Sequence, residues 1–523
     1  MKKLFTTIAL AAATMSAMAT DYTGRLVVNL RGTEMPAGNA TISVNDGGEG
    51  KCSLTLKNFS FMGMGVGTID LKDVDKTQCG VISELSTHQT TTIAAGEGEG
   101  SWMGPSLGLV PINVKGRIAK DSLNAMINIT MPSVGVINVM FGDKANEMGQ
   151  VPNSGFEAFH KEAQGNYSSD EPNAWHSFMS STGIMSGVVS SAVHTYTSDE
   201  VRPGSTGKQS VKVVSALVFP GSLNIPANGT LTTGQLNAGG MSATDDKNHA
   251  FLDLSNDKKD GNGDPFYASM TSRPDSLAVW VKFHQGPLAD KNKDYKYASV
   301  SAVLTDGTRY QMPEYDNKFE NIVAMAKNQE IGVNGEQWQR ISIPFDYASY
   351  NFGVEPKALF VTIGTNAQAG VGSTSDEDPD ALWVDDFELI YNANLTGLKV
   401  KGQDVEIGNG NNVEINGVSG ELSASDFEAT TDGQGAFATT LLQQDGSDVK
   451  ATVYVTSADL KTTNTYTFVV KGATTGIDKV QTATGEGLSK IYNVNGQRVN
   501  SMSQRGIYIV RTADGKTVKV LKK

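Results

Sequence analysis

Leu382-Trp383-Val384-Asp385-Asp386-Phe387-Glu388-Leu389-Ile390-Tyr391 reads as a strand that carries two adjacent carboxylates in an otherwise apolar run. Period-two alternation puts Trp383, Asp385, Phe387 and Leu389 on one face, so Asp385 is expected to point at a core. A buried carboxylate is costly unless a cation, a donor network or a shared proton meets it. The strand is expected to close a long domain that opens near Asn153-Ser154-Gly155-Phe156-Glu157.

At 523 residues the chain exceeds what one core supports, so three or four domains are expected. The 56 glycines and the many Ser and Thr, with no Leu-rich heptads, point to an all-β chain rich in turns. The net charge of −13 argues against nucleic acid as a partner, because that contact needs clustered Lys and Arg.

The start, MKKLFTTIALAAATMSAMA, has the build of a secretory signal over 1–19. Lys2 and Lys3 precede an apolar run, and Ala17 and Ala19 supply the small residues of a cleavage site. Export to the periplasm, the outer cell surface or the medium is expected. No other stretch is apolar and long enough to span a bilayer as a helix. The two cysteines, Cys52 and Cys79, read either as a disulfide, worth about 3–4 kcal/mol for a loop of that size, or as two buried thiols.

Residues 20–143 alternate apolar and polar in short runs such as Arg25–Leu30, Cys52–Leu56, Thr68–Leu71 and Ala125–Ile129, separated by Gly and Asp turns. This predicts an antiparallel barrel or sandwich. The succession DYTGRLVVNLRG, KCSLTLKNFSFMGMGVGTIDL, INVKGRI, LNAMINITM resembles the calycin-like β-barrel domains of exported Bacteroidetes proteins. That resemblance implies an up-and-down barrel whose mouth takes a small lipophilic ligand, with Phe59, Phe61, Met62, Met64 and Val66 lining it; a solid core is the alternative. Gly104-Pro105-Ser106-Leu107-Gly108 fits the GxSxG pattern but lacks the strand before and helix after that a hydrolase elbow needs, so it is expected to be a turn. The acidic Gly96-Glu97-Gly98-Glu99-Gly100 would repel phosphate and reads as a loop.

From 153 to 391 most strand-like runs are short and alternate or are wholly apolar, the pattern of a two-sheet jelly roll. The series Pro265-Phe266, SRPDSL at 272–277, VWVKF at 279–283, WQRISIP at 338–344 and the closing VDDFELIY resembles the putative carbohydrate metabolism domain family of Bacteroidetes. The resemblance implies a jelly roll related to carbohydrate-binding modules and no fixed activity. It also implies a structural calcium between the opening and closing strands, held by Glu157 with Asp385 or Asp386; Lys, Arg or backbone donors are the alternative. Trp175 and Tyr267 are the expected ring contacts for a glycan, each with a structural role as its alternative.

In the loop at 257–264, Asp260-x-Asn262-x-Asp264 starts like a calcium loop. Pro265 and Thr271 stand where Gly and Glu belong, so a solvated turn is expected. The six His are scattered without metal spacing. Glycoside hydrolysis would need two facing carboxylates, and Asp253, Glu314, Asp346 and Asp385 are the candidates. With no catalytic set read from the sequence, the expected function is glycan binding or capture without catalysis. The alternatives are a glycan-active enzyme and a structural or adhesive surface protein. Residues 392–472 read as a small immunoglobulin-like sandwich. Residues 489–523, with YNVNGQRV, GIYIVR and GKTVKV, resemble C-terminal sorting domains of the Bacteroidetes type IX secretion pathway.

Overall fold

The computed structural model describes residues 19–61, 63–98, 101–131, 134–350, 352–475, 488–493, 498–499, 506–512 and 517–522. Residues 1–18 of the signal expected over 1–19, and residues 494–497 and 513–516 of the sorting-like end, lie outside them. The chain is all-β: the α-helices among the described residues are the single turns Gly104–Leu107 and Ser186–Val189. It divides into two compact units. One comprises Met1–Asn394, Asp432–Phe437 and Thr456–Asn464; the other Leu395–Thr431, Ala438–Val455 and Thr465–Lys523.

Eight antiparallel strands between Thr20 and Phe141 follow one another around a sheet, and Thr20–Leu30 pairs with Gly135–Phe141 to close it. The alternation fixes which face turns inward: Ile42, Val44, Leu54, Leu56, Ile69, Leu71, Ile112, Val114, Ile127 and Val139 are all buried. The space left inside, lined by Leu54, Leu71, Leu85 and Val114 among others, is about 20 Å³. A small-molecule site takes about 300 Å³ or more, so the lipophile expected in the barrel has no room. Phe59 and Val66 are buried in this solid core, whereas Met64 is exposed; the side chains of Phe61 and Met62 lie outside the described residues.

Cys52 and Cys79 are both buried and unpaired. Cys52 sits opposite Val74, and Cys79 lies five residues further along that strand. At about 3.3 Å per residue this is roughly 16 Å, far beyond the reach of a disulfide. Ser106 donates to the carbonyl of Met103 on a one-turn helix that follows a loop, so no nucleophile elbow forms. Glu97 pairs with Lys57 at a bend; Glu99 and Gly100 lie outside the described residues.

The central domain is a sandwich of two five-stranded sheets. One has the order Thr195–Ser198, Ser210–Val214, Ala381–Ile390, Ser276–His284, Gln339–Pro344. The other runs Thr230–Thr232, Ala358–Gly364, Ala298–Thr305, Ile322–Ile331, with Ala268–Ser269 also paired to Ala358–Gly364. Their inner faces meet in one core, with Val211, Leu277, Val281, Leu382 and Val384 from the first and Val300, Ala302, Ala326, Val361 and Ile363 from the second.

The closing strand departs from simple alternation. Ala278 pairs with Glu388 and Trp280 with Asp385, so Asp386 and Phe387 together oppose Val279. Asp386 has φ +43°, the left-handed conformation of a bulge residue. The bulge reverses the parity. Leu382 and Val384 face the core before it, and Phe387, Leu389 and Tyr391 after it. Trp383 and Asp385 therefore belong to the outer face. Lys212 and Lys282 lie over the Trp383 ring, and Asp385 is covered by the segment carrying Arg202.

Among the described residues, the second unit holds all or most of three small sheets and a fourth at the C-terminal end. One is built on Leu395–Val400; one has the order Val413–Ile415, Thr463–Val470, Asp448–Thr456, Phe437–Asp445; and one pairs Gly420–Leu422 with Ala473–Thr475. The described C-terminal strands form a four-stranded antiparallel sheet.

Candidate functional site

The outer face of the sheet Thr230–Thr232, Ala358–Gly364, Ala298–Thr305, Ile322–Ile331 is the floor of a groove. Residues that alternate with the core set point into it. Thr230, Gly364 and Ser299 form one cross-strand row, and Thr362, Ser301 and Lys327 form the next. Ser and Thr here leave the floor low and polar, where a Lys or Glu array would have filled it. The hairpin Ala216–Val218 with Ile225–Ala227, the loop after Ala238 and the segment Pro313–Tyr315 supply walls. The enclosed volume is about 730 Å³, within the range of small-molecule and oligomer sites.

Four half-buried rings, Phe178, Phe219, Tyr315 and Tyr350, line it. Phe219 and Tyr315 both have positive φ, at +55° and +50°. Such backbone is rare for aromatic residues and persists only where the surroundings enforce it. The Tyr315 hydroxyl is directed at the carbonyls of Asn248 and Asp245 at 2.9 and 3.2 Å, which holds that wall. Asn228 donates its amide to the carbonyls of Asn366 and Gln368, leaving its own Oδ1 without a protein partner. The Thr362 hydroxyl on the floor also lacks one. Both atoms are buried, so a ligand in the groove would meet them only after the side chains turn outward. His249 donates from Nδ1 to the Asp246 carbonyl and accepts from Arg309 at Nε2; burial lowers its pKa, so it is neutral here.

Among the described residues one carboxylate, Glu314, lines the groove, and it accepts the Tyr310 hydroxyl at 2.6 Å. Asp253, Asp346 and Asp385, the other acids considered for hydrolysis, are not among the lining residues. Asp385 is 0 % exposed and accepts the Arg202 backbone N–H at 2.9 Å. Burial raises its pKa; the Arg202 N–H opposes this and the charge of Asp386 adds to it. Asp386 pairs with the Arg202 guanidinium at 2.6 Å. Glu157 is exposed and accepts the backbone N–H groups of Lys208 and Gln209. Glu157 and Asp386 both stand beside Gly155, with Asp386 Oδ1 3.4 Å and Glu157 Cγ 4.0 Å from where a Cβ would lie. Peptide N–H groups and the Arg202 guanidinium meet Glu157, Asp386 and Asp385 Oδ2, because the bulge turns Asp385 away from the core and towards Arg202, while the buried Asp385 Oδ1 has no protein partner.

Neither expected ring contact reaches the groove. Trp175 is 0 % exposed, packed between Phe156 and Phe387, with its indole N–H donated to the Pro152 carbonyl at 3.0 Å. Tyr267 is buried where the barrel meets the sandwich: its hydroxyl accepts the Val81 N–H at 2.8 Å and stands against Gly80. Beside it, Arg117 and Glu84 form a buried pair at 2.7 Å that also engages Ser269.

A second cluster lies at the hairpin Phe159–Gln164 with Tyr167–Pro172. His160 Nε2 is 3.2 Å from Glu162 and 3.6 Å from Asp260, and His176 Nδ1 is 3.6 Å from the same Asp260 oxygen. The loop 257–264 does turn at Asp260, whose Oδ1 accepts the N–H groups of Asn262 and Asp264. The turn is exposed at Asp257, Lys258, Lys259, Gly261 and Asn262, but the Asp260 side chain is fully buried. Burial works against charge on His160, yet the Glu162 hydrogen bond and the Asp260 charge raise its pKa to about 9. Burial lowers His176 to about 4.

The fold and groove define the class: an all-β protein in which a closed, solid barrel precedes a jelly-roll sandwich with an open groove of mixed, mainly apolar lining. Among known families, residues 18–143 match the calycin-like β-barrel domain. No curated protein matches the chain. A solved structure described as a "putative glycoside hydrolase" from Bacteroides thetaiotaomicron is similar at 13 % identity and a TM-score of 0.30, over 55 % of this chain and 87 % of that one. A likeness of that size carries no argument about this chain.

Proposed function

We propose that the sandwich binds a neutral glycan in the groove without cleaving it, and that the protein does so after export. The groove lining carries this reading: four part-exposed rings beside hydroxyls and amides, with one carboxylate among the described residues, already bonded. Sugars present apolar ring faces and many hydroxyls, which such a surface matches. Retaining and inverting hydrolysis both require a carboxylate pair about 5–9.5 Å apart across the scissile bond, and the lining offers one. The sequence resemblance to carbohydrate-binding jelly rolls agrees with the reading. The signal-like start and the sorting-like end support export, which fractionation of producing cells tests.

The experiment is calorimetric titration of the full chain with a panel of neutral oligosaccharides, run beside an assay for new reducing ends. Binding without release of reducing ends is expected. Absence of binding across the panel would overturn the reading; cleavage would replace it with the enzyme reading.

A further inference from the structure

We propose that His160, Glu162 and Asp260 form a binding site for a first-row divalent transition ion of the zinc type, with His176 as the nearest fourth ligand. Nothing in the groove reading requires this site. Its ligand atoms from His160, Glu162 and Asp260 all lie within 4.8 Å of one another. An ion about 2.1 Å from tetrahedral ligands has ligand–ligand edges of roughly 3.4 Å. Of the six edges among the four ligands, His160–Glu162, His160–Asp260 and His176–Asp260 are 3.2, 3.6 and 3.6 Å.

The ligand side chains are oriented before any ion arrives, and an ion would displace the proton that His160 Nε2 shares with Glu162. His160 Nδ1 is 3.1 Å from the Asn173 side-chain oxygen, and donation there leaves Nε2 towards the carboxylates. His176 Nε2 is 3.3 Å from the Pro265 carbonyl, and donation there leaves Nδ1 as the acceptor. Each imidazole thus has the outer hydrogen bond that metal-ligating histidines use to fix their orientation. The carboxylates are fixed in the same way. Glu162 Oε2 accepts the Gly261 N–H at 2.6 Å, and Asp260 commits Oδ1 to two N–H groups.

The independent observation is a pair of buried atoms that nothing in the protein satisfies. His176 Nδ1 and Asp260 Oδ2 face each other, both side chains are 0 % exposed, and neither atom has a hydrogen-bond partner. Two lone pairs 3.6 Å apart with no donor between them repel, and a cation between them removes the repulsion. Glu162 and Asp260 also line an open pocket of about 450 Å³, which gives an ion a way in. Two imidazoles with carboxylates favour zinc-type ions over calcium, which takes oxygen ligands. The bound ion would tie the Phe159–Gln164 strand to the 257–264 loop.

The alternative occupant is a proton shared among His160 and the acids. The test uses the tag-free full chain, stripped with chelator and titrated with Zn²⁺ and, as a visible probe, Co²⁺. One equivalent is expected to remain after gel filtration, with a Co²⁺ spectrum of tetrahedral type. His160→Asn and Asp260→Asn should each weaken Zn²⁺ binding at least tenfold. Near-UV circular dichroism checks their folding, and Glu162→Gln, which keeps the acceptor for Gly261, is the milder variant and should also weaken it. No retained Zn²⁺ or Co²⁺, retention unchanged in the variants, or preference for Ca²⁺ would each overturn the proposal.

Discussion

The bulge at Asp386 makes a prediction whose sign is diagnostic. Compare Asp386→Gly with Asp386→Ala. Both remove the carboxylate that meets Arg202, and that pair, with side chains 24 % and 35 % exposed, is worth about 0.5–1 kcal/mol in either variant. The difference between the two isolates the backbone. At φ +43° an alanine Cβ costs roughly 1–2 kcal/mol that glycine avoids. Glycine costs about 0.5–1 kcal/mol of extra unfolded-chain entropy. The glycine variant should therefore be the more stable, by about 0.75 kcal/mol at the middle of these ranges and at most about 1.5 kcal/mol. In a regular strand the order reverses, since glycine there is about 0.5–1 kcal/mol worse than alanine. Urea unfolding of the full chain reports the difference through tryptophan fluorescence, because Trp175, Trp280, Trp338 and Trp383 all lie in or beside this sandwich. An alanine variant as stable as the glycine variant, or more so, would refute the bulge and with it the assignment of Asp385 to the outer face.

Three further outcomes follow from the packing. Trp175→Ala should cost about 3–5 kcal/mol, as for other fully buried aromatics, and leave glycan affinity of the folded protein unchanged; lost affinity without lost stability in the same urea assay would return Trp175 to the ligand surface. Burial pushes the Cys52 and Cys79 thiols up to about 11 and about 12, so a thiol reagent at pH 8 should find none in the native protein and two in urea. His194, lowered first by burial, has a folded pKa below its unfolded value. The unfolded state then binds more protons as pH falls through about 6.5, and this contribution to stability, full above that pH, is lost towards the lowered folded value at up to about 1.4 kcal/mol per pH unit. His194→Gln should flatten the curve between pH 7 and 5, measured as unfolding midpoints across that range.

Where burial on one face follows a strict period of two, the sequence was sufficient. Ile42 and Val44 or Ile127 and Ile129 mark the barrel interior without further information. Alternation failed at Asp386 because one left-handed residue inverts every assignment before it, and an aspartate can take that conformation without the glycine that would have signalled it. Trp175 looked like a loop-edge ring; its burial comes from Phe156 and Phe387, one distant in sequence, closing over it. The groove floor was legible in part, since Ser299 and Ser301 alternate with Ala298, Val300 and Ala302. Small hydroxyls in place of charges on that face are the signal that was available. The histidine cluster was not legible: Asp260 lies about a hundred residues from His160 and Glu162, and only the folded loop brings it to them.

Filling the groove tests the central claim most directly. Ser299 is half-buried on the floor, and Ser299→Trp would place an indole where the account puts the glycan. Titration of wild type and Ser299→Trp with the same neutral oligosaccharide should show binding by the first and at least a tenfold loss, about 1.4 kcal/mol, in the second, at equal unfolding midpoints. Equal affinity in the two proteins would contradict the account.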